Sequence, residues 1–254
     1  MLDGTLSFII GPDYLNWKTY VFLYLALTLG AAPSNIVICN NKPELFEIPE
    51  ETIKTHAHPF QISSTEEKVN RMYFEKAGKE NTQKTLQIAK EEALKRGITH
   101  IVVASTFGET GLAAAQMLED TGIKLVVVTH NTGIREPDLQ TFDPEIKKKI
   151  KSMGGKIHTG TMVLRGLGTA LKERGSLSYE QTVADTLRIF GQGTKVVVEI
   201  VAMSADAGLI PFSDVIVVAG TGRGADTAAV IKASSSNKFF DIKLREYLVK
   251  PLDF

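Results

Sequence analysis

Two short, largely apolar runs, Ile101–Ala104 and Ile123–Thr129, fix the class of fold this chain can adopt. Each is too short for a buried helix of ordinary length and rich in β-branched residues. Between them lies Thr110–Glu119, small and Ala-rich, which reads as a helix ended near Gly122. Strands apolar on both faces, separated by helices, belong in a parallel sheet covered on both sides. The expected fold is therefore α/β: a mainly parallel open sheet, with antiparallel strand pairing near the C-terminus.

The flanking segments extend this pattern. Asn81–Arg96 carries Leu86, Ile88, Ala89, Ala93 and Leu94 near one helical stripe, with Gly97 as its stop. Asp143-Pro144 opens a helix running to Met153, with Pro at the first helical position. A short strand is expected at Lys156–Thr159, a helix around Leu164–Lys172, and a capping box at Ser178–Gln181 opening a helix to Phe190. Thr194–Ala202 (TKVVVEIVA) reads as the most hydrophobic strand, interrupted by Glu199, and Val215–Ala219 as another. The tail, Ala228–Lys232 and Ile242–Val249, alternates in a β-like way.

Residues 1–71 are of a different composition. They hold the apolar run Thr19–Ala32, short of the ~20 residues a membrane span needs, a candidate strand at Ile36–Cys39 and a helical turn at Pro49–Thr55. The expected organisation is an N-terminal extension of uncertain structure over 1–71, not necessarily native, followed by an α/β domain over 72–254 with a natural start at Met72. A secreted or membrane-associated chain is the competing reading, with no membrane role for 72–254.

Charge and cysteine content narrow the function. Lys plus Arg and Asp plus Glu both number 29, for a formal net charge of zero, so there is no electrostatic footprint for nucleic acid. One cysteine, Cys39, excludes an intramolecular disulfide and a thiolate metal cluster. A reducing, cytoplasmic setting fits, and no metal site is expected from the spacing of the five histidines.

Three Gly- and hydroxyl-containing loops follow strands, and in an open parallel sheet such loops share the edge where ligands bind. The first is Ser105-Thr106-Phe107-Gly108-Glu109-Thr110, a strand–loop–helix passage able to present helix amides to phosphate. The second includes Thr129, His130 and Gly133. The third runs from Gly220 through Gly222, Arg223, Gly224 and Asp226 to Thr227. Arg223 can pair bidentately with a phosphate or carboxylate. Asp226 can accept from a ligand hydroxyl or cap its own turn. Gly220-x-Gly222-x-x-Ala225 matches a dinucleotide fingerprint, but too little chain follows it for the required βαβ units, and a wide turn is the better reading. His130 and Glu199 are weak candidates for acid–base chemistry. Glu199 should be hydrogen-bonded or paired, because an isolated carboxylate among Val and Ile is costly.

The stretches Tyr73–Thr82, Ile101–Thr110, Val127–Gly133, Val198–Gly208 and Gly220–Thr227 resemble the stand-alone pyruvate kinase α/β-domain-like (pyruvate kinase C-terminal domain-like) proteins of archaea. The resemblance runs from Met72 to Phe254. It implies a phosphate site on Ser105–Thr110, and FMN as cofactor. It does not imply pyruvate kinase activity, whose catalytic barrel needs ~250 residues of its own. The function expected is binding of a phosphorylated small molecule, FMN first. The alternatives are a flavin-dependent oxidoreductase of unknown substrate and a regulatory domain sensing a sugar phosphate. No nucleic-acid partner is expected, and a homo-oligomer is left open.

Overall fold

A computed structural model describes residues 72–254 together with two short strands, Ser7–Ile9 and Val37–Cys39. The chain divides into two units, Met1–Lys68 and Val69–Phe254. In the first, the two short strands pair in parallel, Ser7 opposite Val37 and Ile9 opposite Cys39. The expected strand at Ile36–Cys39 thus begins one residue later. The apolar run Thr19–Ala32 and the turn Pro49–Thr55 lie outside the described residues. Among the described residues no helix is long and apolar enough to cross a membrane.

The second unit is one seven-stranded sheet with helices on both faces. In chain order its elements are β1 (Met72–Lys76), α1 (Thr82–Arg96), β2 (His100–Ala104), α2 (Glu109–Leu118), β3 (Lys124–Val128) and α3 (Pro144–Ser152). There follow β4 (Lys156–His158), α4 (Gly166–Glu173), α5 (Tyr179–Arg188), α6 (Gln192–Asp206), β5 (Asp214–Ala219), β6 (Thr227–Lys232) and β7 (Lys243–Asp253). The strand order is β1-β7-β6-β5-β2-β3-β4. Only β6 runs against its neighbours, so the sheet is mainly parallel with antiparallel pairing near the C-terminus.

The strands alternate their side chains between two cores, as period-2 geometry requires. Ile101 and Val103 of β2 pack with Leu86, Ala89 and Ala93 of α1, Ala114 and Leu118 of α2, and Ile150 of α3. Val102 between them faces the other way, with Val126, Val128, Val215, Val217 and α6 residues Val197, Ile200 and Val201. Helix ends follow local chemistry. Gly97 closes α1 in the left-handed conformation (φ 64°), bonding back to Ala93 and Leu94. Asp143 caps α3, accepting from the amides of Glu145 (2.7 Å) and Ile146 (3.0 Å), with Pro144 at the first helical position.

Two expectations are corrected. Thr194–Ala202 is not a strand but the middle of helix α6, and Glu199 sits on that helix. The helix lies in the interior, with twelve of its fifteen residues buried. An all-round apolar helix has no amphipathic stripe, and its periodicity cannot be told from that of a buried strand. The capping box at Ser178 is half formed. Ser178 accepts from the Gln181 amide at 3.2 Å, but the Gln181 side chain donates to Thr169 (2.9 Å) instead of returning to Ser178.

Candidate functional site

The parallel strands deliver their C-terminal ends to one edge, and the strand order turns back there. The chain steps outward from β2 to β3 to β4, then returns through α4–α6 to lay β5 on the other side of β2. Such a reversal opens a crevice beyond the strand ends, the usual ligand position in open α/β sheets. Ser105–Gly108 follows β2 at that point, and the loop after β5 is next to it.

The Ser105–Thr110 loop is built for close approach. Gly108, the residue before α2, has φ 111°, and a Cβ there would come within 2.7 Å of Ile146. The Ser105 hydroxyl accepts from the Gly111 amide at 3.1 Å, and Leu112 begins the helical ladder on Gly108. The amides of Gly108, Glu109 and Thr110 therefore have no acceptor among the described residues. They are the donors at the positive end of the α2 dipole. Ser105 serves the helix terminus rather than a ligand. Thr106 is half-buried, its carbonyl accepting from Thr141 at 3.1 Å, and Phe107 is exposed beneath the Arg135 guanidinium, 5.1 Å from the ring centre.

Charge around this terminus comes from three elements. Glu109 pairs with Lys79 at 2.8 Å, both largely exposed. The Lys79 hydrogen bond and charge, with a smaller contribution from Arg223, hold the Glu109 carboxyl below its usual range. The loop after β5 thus brings Arg223 toward α2, on an exposed turn through Gly222 (φ 89°) and Gly224. Lys79 is a site residue that the sequence reading did not single out. Its signal was its place in the Tyr73–Thr82 stretch.

Asp226 has no accessible surface, and its carboxylate accepts from the amides of Thr221 (3.0 Å) and Gly78 (3.3 Å) and from the hydroxyls of Thr227 (2.9 Å) and Thr221 (3.4 Å). It locks the Gly220–Thr227 turn to the end of β1 and has no capacity left to take a ligand hydroxyl. Thr227 is buried as the first residue of β6.

The loop after β3 carries Thr129, His130 and Gly133. Thr129 is buried, its hydroxyl shared between the His130 carbonyl (2.8 Å) and Thr159 (2.7 Å). Gly133 turns the loop at φ 80° and donates to Leu139. His130 is half-buried. Burial, then the charges of Arg165 and Arg135, lower its pKa from the ordinary 6.5, with Glu199 opposing them. Glu199 is buried with Lys195, one helical turn earlier on α6. One carboxylate oxygen accepts from Lys195 and the other from the Leu164 amide at 2.8 Å. The structure therefore gathers the three loops on one edge, with Ser105, Thr129, Asp226 and Thr227 engaged internally. Among the described residues no group of three His, Cys, Asp or Glu side chains is arranged to hold a metal ion.

No family model matches the chain. Among solved structures it is similar to Cryptosporidium parvum pyruvate kinase in complex with ADP, at 13% identity and a TM-score of 0.35 over 60% of this chain and 24% of that one. A second crystal structure of a pyruvate kinase from the same organism gives 12% identity and a TM-score of 0.33, covering 60% and 23%. O-ureido-L-serine synthase follows at 21% identity and a TM-score of 0.24, covering 42% and 28%. The chain spans about a quarter of the length of the kinases. The α/β assignment stands on the sheet order itself.

Proposed function

We propose that this protein binds a phosphorylated small molecule at the C-terminal edge of its sheet, with FMN the leading ligand. One observation carries the reading: Ser105 satisfies Gly111, leaving the amides of Gly108, Glu109 and Thr110 as donors at the start of α2. A phosphate there would receive those amides and the Thr106 and Thr110 hydroxyls, while Lys79 offsets the Glu109 carboxylate. FMN itself is suggested by the resemblance of the five sequence stretches to the pyruvate kinase C-terminal domain-like proteins. Its phosphate suits the α2 terminus, and Phe107 and Arg223 supply an aromatic surface and a cation for the remainder. When bound, FMN supplies redox chemistry through its ring. The proposal is for binding, without phosphoryl transfer.

Titration of FMN into the purified protein, followed by quenching of flavin fluorescence, tests it. Thr110→Ala removes one charge-assisted hydrogen bond and should weaken FMN by about 1.5–3 kcal/mol, roughly ten- to a hundredfold in Kd. Saturable binding of a sugar bisphosphate with no response to FMN would favour a regulatory phosphate sensor over a flavoprotein. Equal affinity in wild type and Thr110→Ala would remove α2 as the phosphate position.

A further inference from the structure

On the α6 face of the sheet, residues 161–164, helices α4 and α5, the end of α6 and the 3-10 segment Ser236–Asp241 surround a cavity of about 550 Å3, within the ~300–1,000 Å3 of small-molecule sites. Its floor is the core itself. Met162 and Leu164 are buried, and Met162 and Phe239 pack with α6 residues. The mouth is different: Leu167, Tyr179 and Phe240 line it yet are 70%, 78% and 81% exposed. Phe239 and Phe240 meet edge to face, with ring centres 5.7 Å apart and planes at 90°, so they offer two walls set at a right angle. Gly168 lets α5 come close to α4, since a Cβ there would stand 2.4 Å from the Ser178 hydroxyl and 3.2 Å from a Glu180 carboxylate oxygen.

The charge in this wall is of one sign. Glu180 and Asp206 line the cavity, and no lysine, arginine or histidine among the described residues does. Lys172 of α4 pairs with Asp185 instead, at 3.6 Å. Each carboxylate is pinned by one oxygen: Glu180 Oε2 accepts from the Ser178 hydroxyl at 2.9 Å, and Asp206 Oδ1 from the Ser236 amide at 2.8 Å. The other oxygen of each has no hydrogen-bond partner among the described residues. Aromatic faces attract a cation through the ring quadrupole, and quaternary ammonium groups are the usual guests of such cages. A phosphate, which suits the sheet edge, would meet two carboxylates here. A second copy docked face to face would set the same carboxylates against each other. We infer that this cavity is a binding site for a small organic ammonium, its apolar stem on Met162 and Leu164 and its charge at the mouth, among Tyr179, Phe240 and the free oxygens of Glu180 and Asp206. The inference stands apart from the phosphate reading, because the wall shares no residue with the three loops of the sheet edge.

The probe is benzyltrimethylammonium, titrated into the full chain and followed by the NMR shifts of the Gly168 and Val183 amides, with neutral benzyl alcohol as the comparison. Saturable shifts at both amides are expected, the cation binding about tenfold tighter than the alcohol. Phe240→Ala, at a largely exposed position, should weaken the cation about three- to tenfold and leave the urea midpoint unchanged. Glu180→Gln combined with Asp206→Asn keeps the acceptors that Ser178 and Ser236 use while removing both charges. That double variant should weaken the cation about three- to tenfold and hold the alcohol as wild type does. Should it fail to fold, Phe240→Ala still decides: unchanged affinity for the cation there overturns the inference. Equal affinity of wild type for cation and alcohol shows a purely apolar cavity and overturns it too, as does a folded double variant that binds the cation like wild type. Shifts confined to the Ser105–Thr110 loop, or no saturable shift at all, place no ammonium here. Dilution of the free protein moving the same two amides, in the pattern of a dissociating dimer, gives this face to a second copy and likewise overturns the inference.

Discussion

At Asp226 a single carboxylate joins its own stretch of chain to a segment 148 residues away. It holds its own turn through Thr221, the start of β6 through Thr227, and the end of β1 through Gly78. Replacing it by Ala strands two amide donors in a site with no accessible surface, at about 1–3 kcal/mol each. Asp226→Ala should therefore lower stability by roughly 3 kcal/mol in urea denaturation. Asp226→Asn, still able to accept, should lose less. Equal midpoints for wild type and Asp226→Ala would show that water replaces the carboxylate. The sequence left Asp226 open between ligand contact and turn cap, because nothing in GTGRGADT reveals the Gly78 amide waiting 148 residues earlier.

Among the elements, the strands and most helices were legible and α6 was not. The runs at β2, β3 and β5 are apolar and short, and Gly97 and Asp143-Pro144 mark helix ends by mechanisms that operate within a few residues. In α6 burial is so complete that no polar face remains to declare a 3.6-residue period. The one helical signal was the Lys195–Glu199 spacing of four, which brings the two side chains together on a helix, whereas on a strand they would share a face but stand about 13 Å apart. The three loops could be read as a shared edge because strand ends carry Gly and hydroxyl residues. Spacing alone could not single out Lys79, since its placement depends on its contact with Glu109 across 30 residues. Removing Glu199 leaves Lys195 buried and unpaired, and burial already lowers the Lys195 pKa from 10.5 against the opposing pull of Glu199. Glu199→Ala should cost about 3–5 kcal/mol of stability, measurable as a shift of the chemical denaturation midpoint. A loss below 1 kcal/mol would mean the pair contributes nothing to the interior.

Over the whole unit, acid should act against the fold through its histidines. His100, His130 and His158 all have pKa values below the ordinary 6.5, burial being the largest cause in each. Between each lowered value and 6.5 the unfolded chain binds more protons than the folded one, so stability rises with pH across that window. The penalty is complete below the folded values and absent above about 6.5. Stability should accordingly be level from pH 8 to 7 and fall as pH drops through 6.5 and below. Urea denaturation at pH 5.5 and 7.5, with NMR midpoints for the three rings, checks this. Midpoints at or above 6.5 would be inconsistent with buried neutral imidazoles.

The partner of β1 is β7, the last strand of the unit, with Met72 opposite Val249 and Lys76 opposite Asp253. During synthesis β1 is thus among the first segments of the unit to leave the ribosome, yet its sheet neighbour among the described residues is the last strand of the unit to be made. The β2–β3–β4 half of the sheet is assembled from segments close in sequence, whereas the β1–β7–β6 half waits for β7 to emerge. Contacts of such sequence separation carry a large loop-closure cost and form late. The turn that Asp226 anchors to Gly78 belongs to that late half, so the edge site is completed only after β7 has been made. A nascent chain stalled before β7 would carry the Ser105–Thr110 loop on its strand but leave Lys79 and Arg223 without the frame that brings them to it.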